Sequence, residues 1–162
     1  MKKAFTMIEL IFVILILGVL AAVALPKLAA TRDDAEVVKA ASDLTTAISD
    51  ISTYYTAKGK FATNIHDMTR AIATLSANNG VLKIKGGDCA QIRVINAGDA
   101  TDTTSPARAS KIIIDFSQTA NKDDAACLML RKFPSIKNMC AKGDDEIIDE
   151  CEIIVSGFDT NW

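Results

Sequence analysis

A single histidine, His66, is all the imidazole this 162-residue chain has. With no second base to orient a nucleophile, a Ser-His-Asp type of triad has nothing to stand on. There is no Cys-x-x-Cys pair, and the one histidine lies far from the cysteines in sequence, so a zinc centre lacks its usual spacing. No glycine-rich loop is available to cradle a phosphate. The EF-hand spacing is absent, as is any internal repeat. Basic residues form no cluster: 18 Lys and Arg stand against 20 Asp and Glu. That balance argues against nucleic acid as a direct partner. These absences exclude the commoner enzyme and nucleic-acid-binding classes. No catalytic residue, cofactor site or metal site is assigned, and the chain does not read as an enzyme.

What the chain has is a long apolar run. It opens MKKAFTMIELIFVILILGVLAAVALPKL. As a helix, Phe5 to Leu25 would be about 31 Å long, enough to cross a bilayer core of about 30 Å. Lys2 and Lys3 precede it and the next basic residue is Lys27, so the N-terminus is expected on the cytoplasmic side and everything after Pro26 outside. A fully buried helix of a soluble protein is the alternative, but nothing else in the chain is apolar enough to cover it. A secretory signal peptide is another, with Ala22-Val23-Ala24 as the cleavage site. Glu9 speaks against it. A carboxylate within an apolar run of this kind costs roughly 2.5–3.5 kcal/mol at the membrane centre on insertion scales, and a disposable signal gains nothing from it. The sequence after Ala24 also continues as a helix.

The segment Lys2-Lys3-Ala4-Phe5-Thr6-Met7-Ile8-Glu9-Leu10, followed by the apolar run, resembles the class III signal of type IV pilins and type II secretion pseudopilins. The resemblance covers about thirty residues. It implies that a prepilin peptidase cuts between Ala4 and Phe5, that the new Phe5 amine is methylated, and that Glu9 is the glutamate at the fifth position of the mature chain. The family usually has glycine before the cut, where this chain has Ala4, so slower cleavage is expected. The resemblance also explains Glu9: the Phe5 amine of one subunit pairs with Glu9 of another where water is excluded, whereas an unpaired buried carboxylate is costly. A solvated glutamate at the headgroup boundary is the alternative. Lys2 and Lys3 are two of the 18 basic side chains, so cleavage leaves 16 basic against 20 acidic.

After Pro26, which is expected to end or kink the first helix, Val37, Ala41, Leu44, Ile48, Ile51 and Tyr55 recur at alternating spacings of four and three. This is one apolar stripe on one helical face. A coiled coil would show the same stripe, but a sheet follows, so the stripe is expected to pack on a globular head. Gly59 breaks the helix. Asn64-Ile65-His66-Asp67 reads as the start of a short helix to about Ser76. Val81–Lys85 and Cys89–Ile95 read as a hairpin. Asn96 to Ser110 reads as a polar loop, and Lys111–Phe116 as the best strand. Asp123–Lys132 reads as a short helix stopped before Pro134, and Glu152–Val155 as a last strand ending at Gly157. The acidic stretch Asp144–Glu150 reads as a solvated face, with a calcium site as the alternative.

Cys89, Cys127, Cys140 and Cys151 all fall in the outward part, and an even count in an exported chain favours two disulfides. Sequence alone does not select among the three connectivities. If Pro134 turns the chain back, Cys140 returns beside Cys127 and leaves Cys89 with Cys151. The main competitor pairs Cys127 with Cys151 and Cys89 with Cys140.

The expected fold is α+β and pilin-like: a long N-terminal helix, membrane-spanning in its first half, packed by its second half on an antiparallel sheet of three or four strands. The domains are 1–4 leader, 5–26 transmembrane and assembly helix, 27–58 amphipathic helix, and 59–162 globular head. The resemblance implies a type IV prepilin polymerised into a pilus. A pseudopilin of a type II secretion system and a minor pilin are the alternatives, and a secreted or single-pass membrane binding protein is a more distant one. The implied partners are the membrane, prepilin peptidase, the pilus assembly machinery of the inner membrane, and further copies of the chain in a helical homopolymer. The implied location is the bacterial inner membrane before assembly, then an extracellular pilus or periplasmic pseudopilus.

Overall fold

The computed structural model describes residues 6–98, 109–140 and 147–156, with the side chains of residues 25–31 outside the description. Helix α1 is one element, Met7–Lys58, of 52 residues. Pro26 does not end it: the backbone is helical on both sides. A proline inside a helix costs ~3 kcal/mol through one lost donor and one crowded carbonyl. That loss is confined to one turn, and the flanking turns are built from good helix formers. Gly59 stops the helix as expected. Its φ of 71° is the left-handed conformation that glycine adopts without strain, and its N–H bonds the Tyr55 carbonyl at 2.7 Å.

The chain divides into two compact units, Met1–Ala35 and Glu36–Trp162. In the first, Met7–Ala24 has a mean hydropathy of 2.9 and none of it is buried. It is long and apolar enough to cross a membrane.

The second unit is the head. Among the described residues its sheet has five strands in the order β1-β2-β3-β4-β5, every neighbouring pair antiparallel. The strands are β1 Ala73–Ser76, β2 Asn79–Ile84, β3 Gly87–Ile95, β4 Ser110–Asp115 and β5 Glu150–Ser156. Side chains alternate as a pleated sheet requires. Leu82 and Ile84, Ala90, Ile92 and Val94, Ile112 and Ile114, and Cys151 line one face and join the core. The stripe on α1 meets them: Val37, Ala40, Ala41, Leu44, Ala47, Ile48 and Ile51 are buried in the same cluster. Each fully buried Leu or Ile contributes about 1.5–3 kcal/mol. The β2–β3 hairpin turns on Lys85 and Gly86, with φ of 52° and 79°. Two consecutive left-handed residues make the type I′ turn, whose twist matches the strands.

Three expectations fail. The segment after Asn64 is not a helix to Ser76. A single 3₁₀ turn, Ile65–Asp67, is followed by β1, and the Asn64 side chain makes no cap bond. β-Branched Ile72 and Thr74 suit an extended chain, and the turn at Ala77-Asn78 folds β1 onto β2. Gly80 permits the close approach: a Cβ there would lie 2.5 Å from Ile72 Cδ1. This hairpin raises the strand count to five. Second, Pro134 starts a helix instead of only stopping one. Helix α2, Ala125–Arg131, is capped by the Asp124 carboxylate on the Ala126 N–H at 2.9 Å. Helix α3, Pro134–Met139, carries its proline at the first turn, where the missing N–H costs nothing.

Third, that extra helix overturns the cysteine pairing. The bonds are Cys89–Cys127 and Cys140–Cys151, with Cα–Cα distances of 5.5 and 5.4 Å. Neither Cys127–Cys140 with Cys89–Cys151 nor its competitor forms. The buried face of α2 turns Cys127 onto β3, while α3 carries Cys140, its C-cap, to β5.

Candidate functional site

The N-terminal end of α1 has a local geometry set by three residues, Thr6, Glu9 and Leu10. The Thr6 carbonyl accepts the first helical bond from the Leu10 N–H at 3.3 Å. Thr6 is therefore the cap residue, and Glu9 sits in the first turn. Thr6 Oγ1 accepts from the Glu9 N–H at 3.4 Å. In return, Glu9 Oε2 accepts from the Thr6 N–H at 3.4 Å and from the Thr6 hydroxyl at 3.1 Å. This Thr-x-x-Glu arrangement is the capping box. It matters more in an apolar setting than in water, because the first N–H groups of a helix have no partner of their own. The carboxylate also complements the positive end of the helix. Among the described residues, Glu9 Oε1 accepts no hydrogen bond.

Past Glu9 the helix presents apolar side chains on every side. Phe12, Leu15, Leu20 and Val23 are each more than 60 % exposed. A helix that is apolar all round is stable only when lipid or other protein surrounds it. Residues 1–25 match the prokaryotic N-terminal methylation motif. This motif is the class III signal peptide of type IV pilins. No curated protein and no solved structure matches the chain. The methylation motif supports a type IV pilin-like or pseudopilin precursor, a structural and generally non-enzymatic class. The methylation motif and the apolar span Met7–Ala24 that it includes fit a membrane-anchored precursor. Ala4 and Phe5, where cleavage and methylation are expected, lie outside the described residues.

The head holds the remaining candidates. His66 is exposed in the 3₁₀ turn. Within the acidic stretch, Asp144–Glu146 lies outside the described residues, as does most of the loop from Asn96 to Ser110. Asp149 is engaged by Arg131. Among the described residues, no group of three or more His, Cys, Asp or Glu is placed to hold a metal.

Sequence reasoning missed three residues. Thr6 carried a readable signal, the Thr-x-x-Glu spacing ahead of an apolar run. Arg131 carried none. It is 5 % exposed, donates from Nε to the Ile148 carbonyl at 2.7 Å, and pairs through Nη2 with Asp149. Its guanidinium lies 6.0 Å from the Phe116 ring centroid. Tyr55, taken only as part of the apolar stripe, also shares a 2.5 Å hydrogen bond with Ser156 at the end of β5. Hydrogen bonds from Ser110 and Ser156 hold its phenol below the ordinary tyrosine value.

Proposed function

We propose that the chain is a type IV prepilin, cleaved between Ala4 and Phe5, methylated on the Phe5 amine, and polymerised through residues 5–26 into a pilus. The observation that carries this reading is the methylation motif over residues 1–25, which includes an apolar helical span with no buried residue from Met7 to Ala24. Such a surface needs lipid around it in a single subunit and other subunits around it in a filament. The Phe5 amine and Glu9 of different subunits then set the axial register, since a charge pair in a dry core tolerates little displacement. The N-terminus faces the cytoplasm and the head lies outside. The two disulfides of the head favour a long extracellular fibre over the short pseudopilus of a secretion apparatus, because an exposed fibre gains most from cross-links.

Mass spectrometry of sheared fibres tests processing. A mature chain starting with methylated Phe5 is expected, and a start at Leu25 would mean ordinary signal-peptide cleavage. Electron microscopy of cells with and without the chain tests the role, with loss of surface fibres expected. Glu9→Gln should be inserted and cleaved normally but assemble poorly. Fibres at normal density from that variant would disprove the pairing.

A further inference from the structure

An open cleft of about 530 Å³ in the head is lined by Asp50 of α1 and by the segment His66, Asp67, Met68, Thr69 and Arg70. The segment is held firmly. The Ile65 N–H bonds the Ala77 carbonyl at 2.7 Å, and the Met68 and Thr69 N–H groups bond the Ile65 carbonyl at 3.0 and 3.1 Å. Ile65, Met68 and Thr69 are all buried. The Thr69 hydroxyl, on a residue only 4 % exposed, donates to Asp50 Oδ2 at 2.9 Å and accepts from the Ala71 N–H at 3.2 Å. One carboxylate of the cleft is thereby fixed in place. His66, Asp67 and Arg70 are exposed, and among the described residues none of the three is in an ion pair. Opposite charges share the cleft and do not meet.

The chemistry of the lining narrows what can bridge them. A single metal ion does not: Asp50, His66 and Asp67 line the same space, yet among the described residues no group of three His, Cys, Asp or Glu is placed to hold a metal. A simple anion would find Arg70 but face two carboxylates, and a simple cation would find the carboxylates but face Arg70; each meets a like charge. An apolar ligand would take water from polar groups and give nothing back. A molecule with both signs at separate points suits the whole set. We propose that this cleft binds an amino acid or short peptide as its zwitterion, the carboxylate taken by Arg70 and the ammonium by Asp50 and Asp67. A planar guanidinium grips a carboxylate by two parallel hydrogen bonds. Asp50 has Oδ1 to offer the ammonium, because Thr69 occupies Oδ2. The volume lies within the range of about 300–1,000 Å³ usual for small-molecule clefts. Nothing in this inference depends on the filament reading.

The test uses the full chain, isotope-labelled, in micelles of a non-ionic detergent and in a buffer free of zwitterions. The probes are alanine, dialanine, N-acetyl-dialanine, which lacks the ammonium, and dialanine amide, which lacks the carboxylate. The readout is the amide shifts of residues 65–71 as each probe is added. Alanine or dialanine should give a saturable change, and tighter binding of one than the other tells whether the site takes single residues or peptides. The acetylated and amidated forms should bind about tenfold more weakly than dialanine, the loss of one charged hydrogen-bonding partner. Arg70→Gln should weaken dialanine about tenfold and remove its advantage over the amide. Asp50→Asn, which can still accept from Thr69, should reduce its advantage over the acetylated form. Arg93→Gln alters a charge outside the cleft and should bind as the parent does. The proposal is overturned if neither alanine nor dialanine gives a saturable change, or if the acetylated and amidated forms bind as well as dialanine. A loss in Arg93→Gln as large as in Arg70→Gln also overturns it, because the response would then follow surface charge alone. The probes lacking one charge act on the parental chain, so they decide the matter even where a variant fails to fold.

Discussion

Replacing Arg131 with Met should cost the head about 3 kcal/mol, and nearly all of that comes from one side of the guanidinium. A bond from a charged donor to a buried carbonyl is worth about 1.5–3 kcal/mol, and the Nε contact to the Ile148 carbonyl at 2.7 Å is of that kind, with Ile148 1 % exposed. The position over Phe116 adds about 0.5–1 kcal/mol. The Asp149 ion pair adds little. The Asp149 side chain is 75 % exposed, so it returns to water when its partner goes, and pairs of that kind contribute up to about 1 kcal/mol. Methionine keeps the bulk of the stem, which limits the packing loss. Asp149→Asn should therefore cost under about 1 kcal/mol. The assay is urea unfolding, with cysteines oxidised, of a fragment starting at Lys27, which is expected to be a soluble monomer once the Met7–Ala24 span is gone. With a slope near 1.5 kcal/mol per molar, Arg131→Met should lower the midpoint by roughly 2 M. An Asp149→Asn variant as unstable as Arg131→Met would refute the assignment of the energy to the carbonyl bond. An Arg131→Met loss under about 1 kcal/mol would refute a stabilising role for Arg131 altogether.

Peptide mapping without reduction should recover Cys89 joined to Cys127 and Cys140 to Cys151. With sequence separations of 38 and 11, losing the first should cost about 4 kcal/mol and the second about 3 in the chain-entropy account. Lys85, with φ of 52°, holds a left-handed position that asparagine tolerates better, so Lys85→Asn should stabilise the head by about 0.5–1 kcal/mol in the same unfolding assay. Tyr55 should ionise below the ordinary value of 10.0, and Ser156→Ala should move it back up, as read by tyrosinate absorbance. Because its pKa is lowered by folding, the linked stability grows as pH rises through the folded pKa toward 10.0 and is lost as pH falls again.

The parts of the fold that were legible had one dominant signal each. The α1 stripe was readable because Val37, Ala41, Leu44, Ile48 and Ile51 share a face, and all are buried. Strand β4 was readable because three consecutive isoleucines cannot be exposed, and it has strands on both sides. The methylation motif was readable because it is a local pattern of residue types that a peptidase must recognise. What failed depended on neighbours distant in sequence. Residues Ile65, Met68, Ile72 and Leu75 fit a helix face, yet β2 competes for the chain and leaves Leu75 51 % exposed. The disulfides followed from where α3 carries Cys140, which composition cannot reveal. Arg131 looked like an ordinary basic residue at a helix end, and only the carbonyl of Ile148 makes it a buried one.

Each strand of the head pairs with the strand just before it along the chain. A sheet with that order needs no early segment to wait for a late one. β2 can dock on β1, β3 on β2, and so on, as the polypeptide is delivered from its N-terminal end. Local pairing of this sort keeps loop-closure costs small and speeds folding. It also shortens the time during which an unpaired edge is open to another chain. The exceptions are the two sulfur links, which close only after α2 and β5 have arrived. Oxidation therefore comes late, sealing an arrangement already reached. A subunit halted before β5 would hold four paired strands and Cys140 without its partner, a species that a thiol probe could capture during synthesis.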